Sequence, residues 1–341
     1  MGYEILSLLF FLVVIIAASE IFTNAIEALG AKLKFSEGVT GSIFAAVGTA
    51  LPETMVPLVA IFGGNTAAAT EEVGVGAILG APFMLSTLAM FLIGWAMWQF
   101  KGLRKKDTLE PERTGFRRDI EFFLFAFTLS FLVAFTPYEY RLVRMFVASV
   151  LVLTYFYYVM ETIKASAALV KDGHATENSN SLYLGLIFKE HMGIVVLQLL
   201  IALGLIIVGA KGFVHGVEAL ADILKMPVIA LSLLIIPIAT ELPEKVNSIL
   251  WIRKGKDTMA IGNITGAMVF QGSLLPAIGI FLTPWTINLT VMTSGIITIL
   301  AGVWLYIISL RVKKITAPLM IVNGILYLTF VSIVIYMSLS A

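Results

Sequence analysis

Ten runs of predominantly apolar residues, separated by charge clusters and Gly or Pro, dominate this chain, at about 4–29, 39–62, 73–99, 120–136, 142–163, 192–216, 227–252, 258–282, 287–310 and 316–339. A helix needs roughly 20 such residues to cross a bilayer, and inside hydrocarbon every backbone N–H and C=O must be satisfied within the segment. The pattern predicts an all-α integral membrane protein with ten transmembrane helices. Composition agrees, since only 13% of the 341 residues are charged and 59% are hydrophobic, whereas a soluble domain is about a quarter charged. The first run has no basic n-region and outlasts a signal h-region, so it reads as a span and not as a cleaved leader.

The same composition removes several function classes. With no cysteine there is no disulfide and no thiolate metal site, and His174, His191 and His215 lack helical ligand spacing. A net charge of +1 provides no field for nucleic acid. No Ser–His pair, His-Glu metal motif or phosphate loop is present, so the chain is expected not to be an enzyme and to need no cofactor.

Orientation follows from the basic residues. Of 23 Lys and Arg, 18 fall in the connections after spans 1, 3, 5, 7 and 9, while Arg141, Arg144 and Lys225 fall on the other side and Lys211 and Lys245 inside spans. The positive-inside rule makes the 18-residue side cytoplasmic and both termini extracytoplasmic, in a multi-pass protein of the cell membrane. The polar connections Gln99–Asp119 and Lys164–Glu190 read as solvated loops.

The chain also repeats itself. A shift of 191 residues lays Glu27–Glu53 on Glu218–Glu244 with nine identities in 27 positions, among them Thr49/Thr240, Leu51/Leu242, Pro52/Pro243 and Glu53/Glu244. Downstream, "GAILGAPFML" from Gly76 lies on "GNITGAMVFQ" from Gly262, each opening on a Gly-xxx-Gly step: Gly76/Gly80 and Gly262/Gly266. Two five-span halves result, 1–163 and 192–341, joined by a cytoplasmic connection at 164–191. Five is odd, so the second half enters the membrane inverted, as in secondary transporters whose sites form at the repeat interface from interrupted helices. Spans 2, 3, 7 and 8 are the ones expected to be interrupted.

Glu53 and Glu244 fall near the middles of spans 2 and 7, where a carboxylate needs a partner or a hydrated cavity. Pro52 and Pro243 lack an N–H, so each frees a carbonyl one turn earlier. Two carboxylates and several free carbonyls make an all-oxygen site for a hard cation, Ca²⁺ before Mg²⁺. The glycines let the crossing backbones approach.

These motifs resemble the cation/calcium antiporter superfamily, to which sodium/calcium exchangers belong. Its two repeats carry Gly-Thr-Ser-Leu-Pro-Glu followed by Gly-Asn-x-x-Gly-Ser-Asn, seen here as "GTALPE", "ATELPE" and "GNITGA". The resemblance implies that Glu53 and Glu244 ligate the divalent ion with the carbonyls of Thr49 and Thr240, and that spans 1 and 6 slide across the core to alternate access. It also exposes departures. Positions that carry Ser, Asn or Asp oxygens at the family's sodium sites are Ala50, Ala81, Leu85, Glu241, Ala267 and Gln271 here, and the Gly-Asn asparagine survives only as Asn263. Little Na⁺ coupling is therefore expected.

Glu241 and Lys245 stand four apart on span 7, a favourable helix-face pair. Three roles are open to them: a structural ion pair, a titrating Glu241 that lets H⁺ replace Na⁺, or Lys245 as a tethered cation that lowers divalent affinity. Gln271 and Asn263 join them as counter-ion candidates, and Asn247 and Ser248 as cavity lining. Glu20 and Lys211 are intramembrane charges that either pair with each other or separately face a hydrated interface. The expectation is a secondary antiporter exchanging a divalent cation, Ca²⁺ first, for a monovalent counter-ion. The alternatives are a Mg²⁺ transporter or channel, or a non-transporting sensor or scaffold on the same fold.

Overall fold

The computed structural model describes residues 2–50, 54, 78–171, 173, 175–176, 181–189, 191–224, 241–285 and 289–340. Pro52, Glu53, Gly76 and Thr240, for which site roles are expected, lie outside the described residues. Among the described residues the architecture is carried by α1 (Gly2–Leu33), α2 (37–49), α3 (Ile78–Gln99), α4 (Arg113–Val133), α5 (Arg141–Lys171), α6 (Met192–Leu224), α7 (Leu242–Arg253), α8 (Asp257–Leu282), α9 (Leu289–Arg311) and α10 (Ala317–Ser340).

Among the described residues seven helices, in α1, α3, α5, α6, α8, α9 and α10, are long and apolar enough to cross a membrane. Helix α4 carries Arg113, Arg117, Arg118, Asp119 and Glu121 in its first turns, and the expected second and seventh spans run into residues outside the described set. The outer faces suit lipid. Along α5, Leu142, Phe146, Leu153, Phe156 and Met160 are all more than half exposed, a continuous apolar stripe that an aqueous surface does not carry.

Helix α8 is the centre. Of its 26 residues only Leu274, Ile278, Phe281 and Leu282 are not buried, because α4, α5, α2 and α7 pack around it. A helix that is apolar on every side is one that must be enclosed. The pair α1 and α6 lies side by side along one flank, with α1 also touching α7.

The expectation that span 8 is interrupted is corrected: α8 runs unbroken through Gly262 and Gly266. Glycine in a helix costs about 1 kcal/mol relative to Ala, but here it permits a crossing. A side chain at Gly262 would meet Ser42 Oγ at 2.8 Å, and one at Gly266 would land on the Ser42 carbonyl; on the facing side, a Cβ at Gly41 would meet the Met259 carbonyl at 2.7 Å. By contrast, a Cβ at Gly80 would meet nothing within 4 Å among the described residues. At the crossing α2 widens into a π-helical segment, Thr40–Ala45, and α3 does the same at Leu85–Ala89. Such single-turn widenings re-aim the residues that follow them.

The Gln99–Asp119 connection is only partly the solvated loop expected. Arg104 is buried against Asp257 at 2.8 Å, and Thr108–Leu109 pairs antiparallel with Ile315–Thr316. Lys314 sits 3.0 Å from Glu110, and its hydrogen bond holds that carboxyl below the usual carboxylate range. Helix α4 starts at Arg113 because Glu112 caps it, accepting from the N–H groups of Thr114 and Gly115, both at 2.6 Å. Arg118 and Asp119 are therefore helical, and Asp119 is buried. Replacing Gly266 with Val should overpack the α2–α8 crossing at a cost of about 1–3 kcal/mol, read as a lowered Tm of the detergent-purified protein; an unchanged Tm would contradict the close approach.

Candidate cation site

The start of α7 is built to hold carboxylates. Glu241 is its N-cap, and Pro243 falls in the first turn, where a missing N–H costs nothing because that group has no helical partner. Pro243 thus stands where α7 begins. Glu244 follows in the same turn, where the positive end of the helix dipole favours an anion.

Both acids are fully buried. Lys245, also buried, places Nζ 2.9 Å from Glu241 Oε2. Among the described residues neither carboxyl oxygen of Glu244 has a hydrogen-bond partner, and neither does Glu241 Oε1. Asn263 of α8 donates to the Glu244 carbonyl at 3.1 Å and to Ser248 Oγ at 3.0 Å, leaving its own Oδ1 unpartnered. Thr49, at the end of α2, lies beside the Glu244 carboxyl and donates its hydroxyl proton to the Ala45 carbonyl at 3.0 Å. The next carbonyl along, of Ala50, is taken up by Thr54, whose N–H and Oγ1 donate to it at 3.1 and 2.7 Å.

Glu244, Glu241, Lys245, Asn263 and Thr49 thus meet where α2, α7 and α8 converge. Gln271 is buried two turns further along α8, with both amide atoms unpartnered among the described residues. Ala50, Ala81, Leu85 and Ala267 are all buried, so hydrocarbon fills the positions they occupy. Buried polar atoms normally find partners, and an unpaired buried carboxylate costs several kcal/mol. This cluster can offset that cost by taking a cation or a proton. Among the described residues no three His, Cys, Asp or Glu come close enough to form a metal centre.

Two networks escaped the sequence reading. Asp119 accepts from Ser42 Oγ of α2 at 2.8 Å, Thr265 Oγ1 of α8 at 2.6 Å and Tyr158 OH of α5 at 3.0 Å, joining three helices to α4. Its partners are 39 to 146 residues away in sequence, so no local pattern could have found them. The second network runs down α1. Thr23 donates to Asn247 at 3.1 Å; Glu27 accepts from Trp251 Nε1 at 3.0 Å and Lys256 Nζ at 2.8 Å; and Lys254 lies 3.5 Å from both Glu20 and Glu27. Glu20 therefore pairs with Lys254, not with the exposed Lys211. The i, i+3, i+4 spacing of Glu20, Thr23, Asn24 and Glu27 was the available signal.

The family model described as sodium/calcium exchanger protein matches residues 3–164 and 194–336. The chain belongs to that family, and it is a multi-pass membrane protein. A curated relative named "Putative antiporter CaxA", from Alkalimonas amylolytica, is 29% identical over 134 residues, which is 39% of this chain and 42% of that protein. The aligned part is less than half of that relative's length. Among solved structures, the sodium-calcium exchanger NCX_Mj soaked with 2.5 mM Na⁺ and 0.1 mM Ca²⁺ aligns with a TM-score of 0.73 at 18% identity, covering 97% of this chain and 98% of that one. The same exchanger soaked with 100 mM Na⁺ and 10 mM Sr²⁺ gives a TM-score of 0.74 at 17% identity, covering 96% and 97%. The fold is shared across nearly the whole chain.

Asp119→Asn replaces an acceptor-only group with an amide that cannot accept from all three hydroxyls. We expect a loss of about 1–3 kcal/mol, visible as a lower thermal midpoint of the purified protein; wild-type stability would remove Asp119 from the packing scheme.

Proposed function

We propose that the protein is a secondary antiporter that carries a divalent cation, Ca²⁺ first and Mg²⁺ next, against a monovalent counter-ion by alternating access. The observation that carries this reading is the fully buried Glu244, whose two carboxyl oxygens have no partner among the described residues. A hard, oxygen-seeking cation suits it, and so does the proton that would replace that cation on the return step.

In this reading the chain forms ten spans in two inverted halves, 1–163 and 192–341, joined by 164–191, with both termini extracytoplasmic. The 191-residue repeat and the basic connections support it. Glu53 is the symmetry mate of Glu244, and the carbonyls of Thr49 and Thr240 complete the oxygen shell. Ala50, Ala81, Leu85 and Ala267 supply no side-chain oxygen for Na⁺, so H⁺ is the counter-ion assigned.

In proteoliposomes, Glu53→Gln and Glu244→Gln should each abolish ⁴⁵Ca²⁺ uptake, and wild-type flux in both would overturn the site. An imposed Na⁺ gradient should leave uptake unchanged while a pH gradient drives it. Na⁺-driven uptake would overturn the counter-ion assignment, passive conductance would identify a channel, and the absence of any flux a scaffold.

A further inference from the structure

The buried pair of Glu241 and Lys245 adds a charge relationship to the site that the divalent reading does not require. Among the described residues the start of α7 holds two carboxylates and one ammonium, all at most a few per cent exposed. The ammonium sits on Glu241 Oε2 at 2.9 Å, while Glu241 Oε1 and both oxygens of Glu244 have no partner among the described residues. A buried carboxylate needs a compensating positive charge, and a diffusible cation would have to be bound and released with each change of state. Lys245 brings the same unit charge, as a compact point charge on a flexible stem, and it cannot leave.

We propose that Lys245 is a tethered monovalent cation that takes the place of a diffusible one at Glu241, and so sets both the affinity for the divalent ion at Glu244 and the independence of that affinity from Na⁺ or K⁺. The proposal rests on the reading that Glu244 receives the transported cation. Lys245 is the residue next to Glu244 and Glu241 lies one turn before it, so in a low-dielectric interior each charge is felt strongly at the Glu244 carboxyl. Held by Glu241, the ammonium cancels a charge that would otherwise draw a second ion. Released from Glu241, it would compete with the divalent ion for Glu244. The two single neutralisations must therefore act in opposite directions, and sensitivity to Na⁺ or K⁺ must appear once the ammonium is gone, which a merely structural ion pair does not predict.

The test is equilibrium binding of ⁴⁵Ca²⁺ to the detergent-purified full chain, titrated with Na⁺ or K⁺ against choline, with monodispersity checked for each variant. Wild type should bind with a Kd unaffected by Na⁺ or K⁺. Lys245→Gln should bind Ca²⁺ more tightly, on the order of tenfold from one added unit of negative charge, and the added Na⁺ or K⁺ should now compete. Glu241→Gln should bind on the order of tenfold more weakly, and Lys245→Arg should keep the wild-type insensitivity to salt. Wild-type Kd and salt response in both Lys245→Gln and Glu241→Gln, with Glu244→Gln still abolishing binding, would overturn the proposal and leave the site standing. Unchanged binding in Glu244→Gln would instead overturn the site itself. Should Lys245→Gln fail to fold, Glu241→Gln decides alone: weaker binding supports the tether, and equal or tighter binding overturns it.

Discussion

A carboxylate enclosed by hydrocarbon must have its charge compensated, and the way each buried acid meets that demand divides this protein into scaffold and site. Asp119 takes three hydroxyls, Glu27 takes an indole N–H and two lysines, Asp257 takes Arg104, and Glu112 takes the first N–H groups of α4. Each of these acids fastens one helix to another or starts one. Glu244 is treated differently, since its oxygens have no partner among the described residues, although the same burial acts on it. Glu241 stands between the two cases, with one oxygen held by Lys245 and one without a partner among the described residues.

The scaffold acids do their work around one crossing. Gly262 and Gly266 let α8 lie against Ser42 of α2, and Ser42 in turn is held by Asp119. Helix α2 therefore reaches Thr49 with its direction set two turns earlier, and Thr49 arrives beside Glu244. From the opposite side the polar stripe of α1 grips α7 through Asn247 and Trp251. Helix α7 is consequently fixed by α1 on one flank and by Asn263 of α8 on another, and it carries Glu244 and Lys245 in its first turn after Glu241.

Much of this was readable without coordinates. Long apolar runs announce helices because hydrocarbon leaves the backbone no other partner, and α1, α6, α8, α9 and α10 fall where those runs lie. The Pro-Glu motif singled out Glu244, and the four-residue spacing singled out the Glu241–Lys245 pair. Less legible was the boundary of α4, because charge density marked Arg117 to Asp119 as loop while Glu112 had already capped a helix. The continuity of α8 was hidden too. An interruption was expected from the inverted-repeat plan, yet Gly262 and Gly266 let α8 cross Ser42 of α2 without breaking.

The sequence by itself determined what is local or periodic: the helical class, the membrane setting, the repeated Pro-Glu chemistry, and the positions from which side-chain oxygen is missing. Only the tertiary structure decided which charges meet. Glu20 went to Lys254 across the bundle instead of Lys211, and Asp119 gathered partners from three other helices. Glu244 was left with none among the described residues. Pairing of buried charges depends on distances of a few ångströms between segments far apart in the chain, and such distances exist only once the helices have crossed.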